Sequence, residues 1–413
     1  MTLLPAHDDK LLGNYARAPV TFVRGEGCTL VDDTGRSYVD AIGGIAVCAL
    51  GHAHPAIAEA VAQQARTLVH VSNLYHHEPS GTLARELCAR SGFAAAFFCN
   101  SGAEANEAAI KLARKHAYRR GEPERTTILA CTGSFHGRTL GALAATANDA
   151  YKIGFGPMPS DFAFTPFNDV AALERALDTR VAAFIVEPVQ GESGVHPAEH
   201  AFLEAARRLC DERGALLIFD EIQCGMGRLG PLFAFEHFGV TPDVVTLAKA
   251  LANGLPIGAM LVCEKAAGGL QPGDHGSTFG GSPIPAAAAL AHLRVRDELQ
   301  LSARVRDASA HLFGGLSAIA ASFPHCAGAP RGIGLLAGLP LRDPLVAGEV
   351  VAALRERGVL AGTAGGNTLR LAPPLIVSDG ETDAVLYAIR DVFSNGRFGS
   401  AETVSGSTSA MAR

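Results

Sequence analysis

The middle of this 413-residue chain alternates short apolar runs with longer segments of helical periodicity. This alternation constrains the fold most, because it predicts an α/β architecture: a mostly parallel sheet wrapped by helices in a large domain. The predicted strands span 94–99, 126–131, 181–186, 215–219, 244–247 and 257–263. The predicted helices span 103–118, 169–177 and 200–213.

Polar or glycine-containing residues follow every predicted strand except the last. These segments are 100–102, 133–138, 187–192, 220–223 and 248–249. In open α/β sheets, ligands bind beyond the carboxyl ends of the strands. We therefore expect these residues to converge on one edge of the sheet and to form a binding site there.

The pattern changes after about residue 282. Two helical segments, 286–299 and 303–322, are followed by short strands around 332–341 and 368–371, which predicts a smaller α+β domain. We expect a large domain over 51–285 and a small domain over 286–393, with the N-terminal segment 1–50 packing against the small domain. Residues 394–413 are small and polar and are expected to be a disordered tail.

Composition and charge exclude several classes of function. The formal net charge of −6 argues against a nucleic-acid partner, and no apolar run approaches the ~20 residues of a membrane span. The first residues lack the pattern of a secretory signal. The nine cysteines are odd in number and include no Cys-x-x-Cys pair, as expected for reduced thiols in the cytoplasm. The histidine pairs at 52/54 and 76/77 lack further ligands at a useful spacing, so no metal is expected.

Lys249 is the one lysine of six that follows an apolar strand and precedes an Asn-Gly turn. Partial desolvation at such a position lowers the pKa of a lysine, and a neutral amine can form a Schiff base with an aldehyde. Taken alone, a lysine that extends its amine to solvent from the end of a strand is the commoner interpretation. The remainder of the chain reverses that preference.

A strand that ends in Asp220 and Glu221 allows two main interpretations. A magnesium-binding strand of an ATPase would need a Gly-x-x-x-x-Gly-Lys-Ser/Thr loop, and no lysine here follows a glycine. The alternative is an aspartate facing a pyridine nitrogen, which requires a lysine at the end of another strand, where Lys249 stands. An acid and base pair of a hydrolase is disfavoured, since adjacent strand residues point to opposite faces.

Three further segments carry candidate binding groups. The junction from Asn100 to Glu104 joins a strand to a helix and could bind phosphate through backbone N–H groups, although Ser-Gly is also a common helix cap. The loop 134–139 offers Phe135 for stacking on a planar cofactor and Arg138 for a substrate carboxylate. To His136 in that loop we assign no role in proton transfer.

Two more groups are expected from the second domain and from a glycine-rich loop. Arg370, in the short strand 368–371, is either an exposed edge residue or a carboxylate-binding group that pairs with Glu192 when no substrate carboxylate is present. The loop 275–281 carries the hydroxyls of Ser277 and Thr278, which suit phosphate or substrate.

With these motifs in place, the chain resembles the class III (ornithine-type) pyridoxal-phosphate aminotransferases of fold type I over about residues 12–393. The motifs that carry the resemblance are Phe-Cys-Asn-Ser-Gly-Ala-Glu-Ala-Asn-Glu at 98–107, Ser-Phe-His-Gly-Arg-Thr at 134–139, Glu-Pro-Val-Gln-Gly-Glu at 187–192, Leu-Ile-Phe-Asp-Glu-Ile-Gln at 217–223, Leu-Ala-Lys-Ala-Leu at 247–251 and His-Gly-Ser-Thr-Phe-Gly-Gly at 275–281. Residues 43–52 resemble the N-terminal strand of one branch of the family, with an aliphatic residue where ornithine δ-aminotransferases place a tyrosine. Cys48 departs from the family, whose members usually carry asparagine there.

The resemblance implies the roles of the site residues. Lys249 would be the Schiff-base lysine and proton shuttle, and Asp220 would keep the pyridine nitrogen of pyridoxal 5'-phosphate protonated. The other cofactor-binding positions are Ser101, Gly102 and Ala103 at the phosphate, Phe135 on the ring, Gln223 at the ring hydroxyl with Glu221 and Ile222 beside it, and Thr278 from the partner subunit of a homodimer with shared active sites. Substrate-binding positions are Arg138 and Ser277 for acyl-ornithine and Arg370 for glutamate or 2-oxoglutarate, with Glu192 as its alternative partner.

The implied activity is transfer of the terminal amino group of N2-acetyl-L-ornithine to 2-oxoglutarate in arginine biosynthesis, in the cytoplasm. Succinylornithine, ornithine or 4-aminobutyrate are alternative amino donors. A glutamate-semialdehyde mutase, which would use no 2-oxoglutarate, and a ligand-binding relative without activity also remain open.

Overall fold

The computed structural model describes residues 10–395. The N-terminal part contains three strands, a four-residue turn and two helices. These are β1 (Phe22–Glu26), β2 (Thr29–Asp32), β3 (Ser37–Asp40), α1 (Gly43–Ala46), α2 (Pro55–Thr67) and α3 (Glu78–Ser91).

The central part alternates strands and helices as the sequence pattern predicts. Its elements are β4 (Ala95–Cys99), α4 (Gly102–Arg119), β5 (Thr127–Cys131), α5 (Leu140–Ala145), β6 (Phe162–Thr165), α6 (Val170–Ala176), β7 (Val181–Val186), β8 (Val189–Gln190), β9 (His196–Pro197), α7 (His200–Arg213), β10 (Leu216–Asp220), α8 (Ala234–Phe238), β11 (Val244–Leu247), β12 (Gly258–Val262) and α9 (Glu264–Ala267).

The C-terminal part contains two long helices followed by a small sheet and two more helices. Its elements are α10 (Pro283–Glu298), α11 (Leu301–Ser322), β13 (Arg331–Ile333), β14 (Leu336–Pro340), α12 (Ala347–Glu356), β15 (Val359–Leu360), β16 (Gly362–Ala364), β17 (Thr368–Leu371) and α13 (Asp379–Asn395). The last helix therefore extends two residues into the segment expected to be a tail, and the remainder of that segment lies outside the described residues.

The large sheet has seven strands in the order β4-β12-β11-β10-β7-β5-β6. Strands β11, β10, β7, β5 and β6 are mutually parallel, whereas β12 runs antiparallel to both β11 and β4. The predicted α/β fold with a mostly parallel sheet is thus confirmed. The edge strand β6 is not among the predicted strands. Phe162–Thr165 has only four residues, and three of them are not fully buried.

Apolar residues on alternate positions of the central strands pack into two separate cores. On one face, Ile128, Ile185 and Ile218 contact α4, which presents a continuous row of alanines to the sheet. On the other face, Leu129, Phe184 and neighbouring residues pack against α7 and the rest of the molecule. Burial on both faces explains why these strands have uniformly apolar sequences, as in parallel sheets generally.

The N-terminal strands form a second sheet whose fourth strand is β15, from the C-terminal part; Val39 pairs with Val359. Beyond β3, the segment 43–52 that resembles a strand begins instead with a left-handed turn over Gly43–Ala46, and its only ladder contact within residues 10–395 is the isolated bridge of His52 with Gly27. Gly43, Gly44, Ile45 and Ala46 all have φ between 56° and 67°. Consecutive glycines permit this conformation, which is costly for a β-branched residue such as Ile45.

Candidate active site

A cavity of about 410 Å³ lies at the carboxyl ends of the central strands, where the sequence pattern predicts a site. Most of its lining residues come from five loops, those that follow β4, β5, β7, β10 and β11 of the large sheet. The lining residues are Val47, Asn100, Ser101, Gly102, Ala103, Phe135, His136, Gly137, Arg138, Glu187, Asp220, Ile222, Gln223, Ala248, Lys249, Gly254, Leu255, Pro256 and Ile257. The cavity thus brings together residues of all five segments that the sequence pattern predicts to converge, 100–102, 133–138, 187–192, 220–223 and 248–249.

Lys249 follows β11 after one intervening residue, Ala248, and begins a 3₁₀ turn over Lys249–Ala252. Its φ of 44° is left-handed, a backbone strain often stored at functional positions. Burial lowers the pKa of its ammonium group, although the nearby carboxylates of Glu192 and Asp220 oppose that shift. The amine is therefore more readily neutral than that of an exposed lysine.

The turn that carries Lys249 is held from behind by Asn253. Its Oδ1 accepts from Leu50 N at 2.7 Å, and its Nδ2 donates to Gly51 O at 3.0 Å. Asn253 also has a left-handed φ of 48°, which asparagine tolerates better than most residues. The N-terminal segment therefore fixes the lysine turn through one buried amide.

Asp220, the last residue of β10, is fixed by three contacts. Its Oδ2 accepts from Asn106 Nδ2 at 2.7 Å and lies 2.7 Å from His136 Nδ1, while its Oδ1 accepts from Ile222 N at 3.0 Å. Thr246 Oγ1 donates to Asn106 Oδ1 at 2.8 Å, which orients the amide. The carboxylate is thus buried, oriented and directed toward the cavity.

Glu221 occupies a different place from the one predicted for it. Its side chain points to the opposite face of the strand and accepts from the backbone N–H groups of Ala234 and Phe235 at 2.6 and 2.8 Å. Burial raises its pKa to about 8. It caps the start of α8, so its carboxylate takes no part in the cavity, whereas Ile222, the next residue, lines it.

The beginning of α4 forms another wall of the cavity. Ser101 caps the helix, since Glu104 N donates to Ser101 Oγ at 3.2 Å. The N–H groups of Gly102 and Ala103 have no acceptor within residues 10–395. A side chain at Gly102 would come within 2.8 Å of Ile222, so glycine keeps the backbone close to the cavity. Free N–H groups at a helix start suit an anion.

The loop between β5 and α5 contributes an aromatic ring and a guanidinium. The Arg138 side chain is exposed and lies 3.7 Å from the ring centroid of Tyr151 and 5.7 Å from that of Phe135. Phe135 N donates to Glu187 Oε1 at 2.9 Å, which fixes the Phe135 backbone. Burial, reinforced by the charge of Asp220, raises the pKa of Glu187, so this carboxyl group holds a proton more readily than an exposed glutamate does.

Arg370 comes from β17 of the C-terminal part and reaches the same edge of the large sheet. Its Nη1 donates to Glu192 Oε1 at 2.5 Å and to Gln223 Oε1 at 3.3 Å, and Gln223 Nε2 donates to Glu192 Oε1 at 3.1 Å. Burial would raise the pKa of Glu192, but Arg370 outweighs it and the pKa is lowered. We call these two residues the Arg370–Glu192 pair; it adjoins the cavity through Gln223.

The loop 275–281 lies at the rim of the site. Asn100 Nδ2 donates to Ser277 Oγ at 3.0 Å, and Asn73 Nδ2 donates to the backbone oxygens of Ser277 and Gly280, each at 3.0 Å. Thr278 is exposed and does not line the cavity of its own chain. The structure therefore places Ser277 beside the site and Thr278 outside it.

Several residues that shape the site were not singled out from the sequence. Asn106, Thr246 and Glu187 are buried polar groups, and His136 contacts Asp220 directly. The available signal for Asn106 was a single amide on the otherwise alanine-rich buried face of a helix. Glu187 follows a predicted strand within a quoted motif, but its role depends on Phe135, a partner 52 residues away.

Comparisons with known proteins agree with this geometry. The family described as Aminotransferase class-III matches residues 13–393. The chain is 49% identical over 392 residues to an acetylornithine aminotransferase of Thermosynechococcus vestitus, covering 93% of this chain and 95% of that one. It is 44% identical to an acetylornithine aminotransferase of Methanocaldococcus jannaschii, covering 92% and 95%.

Solved structures give the same result. An N-acetylornithine aminotransferase of Stenotrophomonas maltophilia superposes with a TM-score of 0.81 at 39% identity, covering 92% of this chain and 97% of that one. An ornithine aminotransferase of Toxoplasma gondii, described with partial occupancy of PLP at its active site, gives a TM-score of 0.90 at 35% identity, covering 94% and 93%. On its sequence, fold and cavity, this chain belongs to the class-III aminotransferases.

Proposed function

We propose that this class-III aminotransferase binds pyridoxal 5'-phosphate in the cavity described above. It would transfer the terminal amino group of N2-acetyl-L-ornithine to 2-oxoglutarate, giving N-acetylglutamate 5-semialdehyde and glutamate, in arginine biosynthesis. The relatives named as acetylornithine aminotransferases support the choice of substrate. The observation that carries the proposal is that Lys249, Asp220 and the free N–H groups of α4 line a single cavity.

The chemical groups of the cofactor fit the donors and acceptors of this cavity. The phosphate suits the N–H groups of Gly102 and Ala103 with the Ser101 hydroxyl, and the aldehyde suits the partly desolvated amine of Lys249. On the ring, the nitrogen suits Asp220, and the hydroxyl suits the amide of Gln223. Phe135 offers an aromatic face to the same ring.

When bound, the cofactor supplies an electron sink for the carbon from which a proton is removed. Asp220 would hold a proton on the ring nitrogen, and Asn106 and His136 keep its carboxylate in place for that task. Lys249 Nζ would carry the proton between the substrate carbon and the acceptor carbon. Its lowered pKa favours the neutral amine that accepts a proton.

Two unlike substrates must use the same site in turn. Arg370 would bind the α-carboxylate of glutamate or 2-oxoglutarate, and Glu192 would take the place of that carboxylate when acetylornithine is present. Arg138, exposed at the mouth of the cavity, would bind the carboxylate of acetylornithine together with Ser277. One to two methylenes change specificity by only ~1–3 kcal/mol, so succinylornithine and ornithine are the close competitors.

An absorbance experiment with a panel of amino donors tests the proposal. The visible absorbance of the lysine-bound cofactor should disappear on addition of acetylornithine and return on addition of 2-oxoglutarate. Succinylornithine, ornithine and 4-aminobutyrate, each at the same concentration, serve as comparisons. A higher kcat/KM for any of these three than for acetylornithine would contradict the proposed substrate, and product formation without 2-oxoglutarate would indicate a mutase.

We further propose that the protein is a homodimer with shared active sites. Support comes from exposed apolar side chains around the loop 275–281: Val69, Leu74, Tyr75 and Phe279 have exposed fractions of 58%, 84%, 70% and 58%. Such a patch beside a site is typical of an interface. Thr278 is exposed and does not line the cavity of its own chain, so we infer that it completes the phosphate site of a partner subunit.

Mixed dimers test this arrangement. Thr278→Ala and Lys249→Ala chains are each expected to be impaired alone. If Thr278 serves the partner, a dimer with one chain of each kind contains one intact site, and co-expression restores activity above that of either variant. If activity of the mixture never exceeds that of Thr278→Ala, the hydroxyl serves its own chain.

We also propose that the protein acts in the cytoplasm. All nine cysteines are free thiols in the structure, as expected in a reducing compartment. Within residues 10–395, no helix is both long and apolar enough to cross a bilayer.

A further inference from the structure

Arg228 is a buried cation to which nothing above gives a role. It lies between β10 and α8, is only 1% exposed, and is among the largest fully buried side chains in the part of the chain that the structure describes. No carboxylate within residues 10–395 lies at ion-pair distance from it. Burial lowers its pKa to about 10, with only the charge of Asp40 acting in the opposite direction.

The guanidinium connects the large domain to the segments that carry Arg370. Its Nη1 donates to Leu335 O at 3.0 Å and also to Pro373 O. The backbone adds a reciprocal bond, since Leu335 N donates to Arg228 O at 3.0 Å. The segments around Arg228 and Gly334 approach so closely that a side chain at Gly334 would lie 2.3 Å from Arg228 O.

Both carbonyl groups flank the strands that position Arg370. Pro373 lies three residues beyond Arg370, just after β17. Leu335 directly precedes β14, in which Gly338 pairs in register with Arg370. Arg228 thus contacts the end of β17 and the start of its partner strand.

The loop that carries Arg228 also leads to the cavity. The loop that carries Arg228 begins after Asp220 and includes Gln223, which contacts both members of the Arg370–Glu192 pair. The distance between Arg370 and the Asp220 end of the cavity is therefore determined by a short loop anchored through Arg228.

A role in stability alone does not account for this arrangement. Arg228 Nε and Nη2 have no hydrogen-bond partner within the described residues. An incompletely satisfied buried guanidinium costs free energy, and an apolar side chain of similar volume is often as stable or more stable. The two carbonyl contacts provide what an apolar side chain could not, a fixed registration between two segments.

We propose that Arg228 is a positioning residue that sets the place of the Arg370 guanidinium relative to Gln223 and Asp220. Arg228 thereby acts selectively on the half-reaction with glutamate and 2-oxoglutarate. This inference rests on the proposed function. It predicts that a change at Arg228 weakens recognition of the oxo-acid substrate more than recognition of acetylornithine, which depends on Arg138.

The test compares Arg228→Lys and Arg228→Met with Arg125→Lys. Both carbonyl bonds come from Nη1, so Arg228→Lys keeps the charge and a donor but carries it on a shorter side chain, and methionine fills the space without charge. Arg125 is the control: its Nη1 also donates to two carbonyls, Val181 O and Arg213 O at 3.1 and 2.8 Å, it pairs with Glu122, and it lines neither the cavity nor the Arg370–Glu192 pair. Rates of the two half-reactions are measured in single turnovers on the holoenzyme, and glutarate binding is measured by calorimetry.

For both Arg228 variants we expect kcat/KM for glutamate and 2-oxoglutarate and the affinity for glutarate to fall about tenfold. The acetylornithine half-reaction should change by less than about twofold, and Arg125→Lys should change neither. Equal losses in both half-reactions, or unaltered glutarate binding in Arg228→Lys, would overturn the inference. Failure of the wild-type protein to react with acetylornithine would instead contradict the proposed function and leave the glutarate comparison intact.

Discussion

The two polar clusters of the site differ in how their charges are satisfied. At the end of β10, Asp220 is held by an asparagine, a histidine and a backbone N–H that all come from the central part of the chain. The Arg370–Glu192 pair instead joins residues from two parts of the molecule, and each side chain is the main charged partner of the other. The first cluster is complete by itself, whereas the second can exchange one partner for a substrate carboxylate.

This difference separates what both half-reactions share from what distinguishes them. A group with several short, fixed hydrogen bonds suits a cofactor that stays in place. An ion pair whose acid is 28% exposed can open at modest cost when a competing carboxylate arrives. Substitutions in the two clusters should therefore have different kinetic signatures.

The largest effect is expected from Lys249→Ala, which removes the amine that we propose to act in both half-reactions. Turnover with every donor should fall roughly a thousandfold or more, and borohydride should no longer fix the cofactor to the protein. Mass spectrometry of the reduced protein measures this. Lys265→Ala is the control, because Lys265 forms a surface ion pair with Asp243 at 2.6 Å. Retained labelling in Lys249→Ala would refute the assignment.

Two adjacent acids provide the next comparison. Asp220→Asn should lower kcat of both half-reactions by about a hundredfold or more, since the neutral amide cannot hold a proton on the ring nitrogen. Glu221→Gln should leave kcat nearly unchanged but lower the free energy of unfolding by about 1 kcal/mol, because it weakens the cap of α8. Steady-state kinetics and thermal unfolding measure the two outcomes. Similar losses of kcat in both variants would contradict the different places of these side chains.

The substrate arginines should separate the half-reactions. Arg370→Ala is expected to reduce kcat/KM for glutamate about a hundredfold, because the α-carboxylate of glutamate then lacks its cation and faces the unpaired carboxylate of Glu192. Arg138→Ala should reduce kcat/KM for acetylornithine and affect glutamate less, since Arg138 is exposed and contacts only aromatic rings. Single-turnover kinetics with each donor measures the rate of each half-reaction. If both variants impair both donors equally, the two arginines are not divided between the substrates.

A smaller effect is expected from Glu192→Gln. Without the carboxylate, 2-oxoglutarate no longer competes for Arg370, so its binding should strengthen about tenfold. Acetylornithine should bind more weakly, since Arg370 then lacks a charged partner in that complex. Calorimetric titration with 2-oxoglutarate measures the first change, and Glu199→Gln, on the surface before α7, is the control. Weaker binding of 2-oxoglutarate would contradict an exchange of carboxylates.

The smallest effect concerns pH. Covalent uptake of the cofactor requires the neutral amine of Lys249, and burial lowers its pKa below the usual 10.5. The neutral form exists above the pKa, so the rate of uptake should rise with pH and level off below pH 10.5. Stopped-flow absorbance of the apoprotein mixed with cofactor gives this midpoint, with free N-acetyl-lysine as the reference. A midpoint at or above that of the reference would show that the site does not favour the neutral amine.

The sequence was sufficient where function depends on residues at the ends of strands. The short apolar runs of the central strands and the polar residues after them predicted the edge at which Asp220 and Lys249 line one cavity. The uniformly apolar sequence of β7 reflects burial on both faces, which is a local property of the chain. The limits of the domains and the roles of individual site residues stay predictions.

Contacts between distant segments were beyond the reach of such reasoning. Asn106 and His136 contact Asp220 although 114 and 84 residues separate them from it in the sequence. A local sequence pattern does not predict contacts between residues so far apart in the chain. The prediction of a strand over 43–52 was wrong, because two glycines with positive φ allow a left-handed turn that periodicity does not reveal. Glu221 was placed at the cofactor because of its neighbour, although alternation along a strand sends it to the opposite face.

The reversed direction of β12 has a consequence for how this protein can vary. Because β11 and β12 run antiparallel, the chain leaves one strand at Lys249 and enters the next at Gly258 without departing from the cavity, and residues 254–257 line it. An insertion between Lys249 and Gly258 would enlarge or obstruct the cavity directly. The connection at the opposite edge, residues 239–243, leads into β11 away from the cavity. Natural length variation and engineered insertions should therefore be tolerated there and rejected next to the lysine.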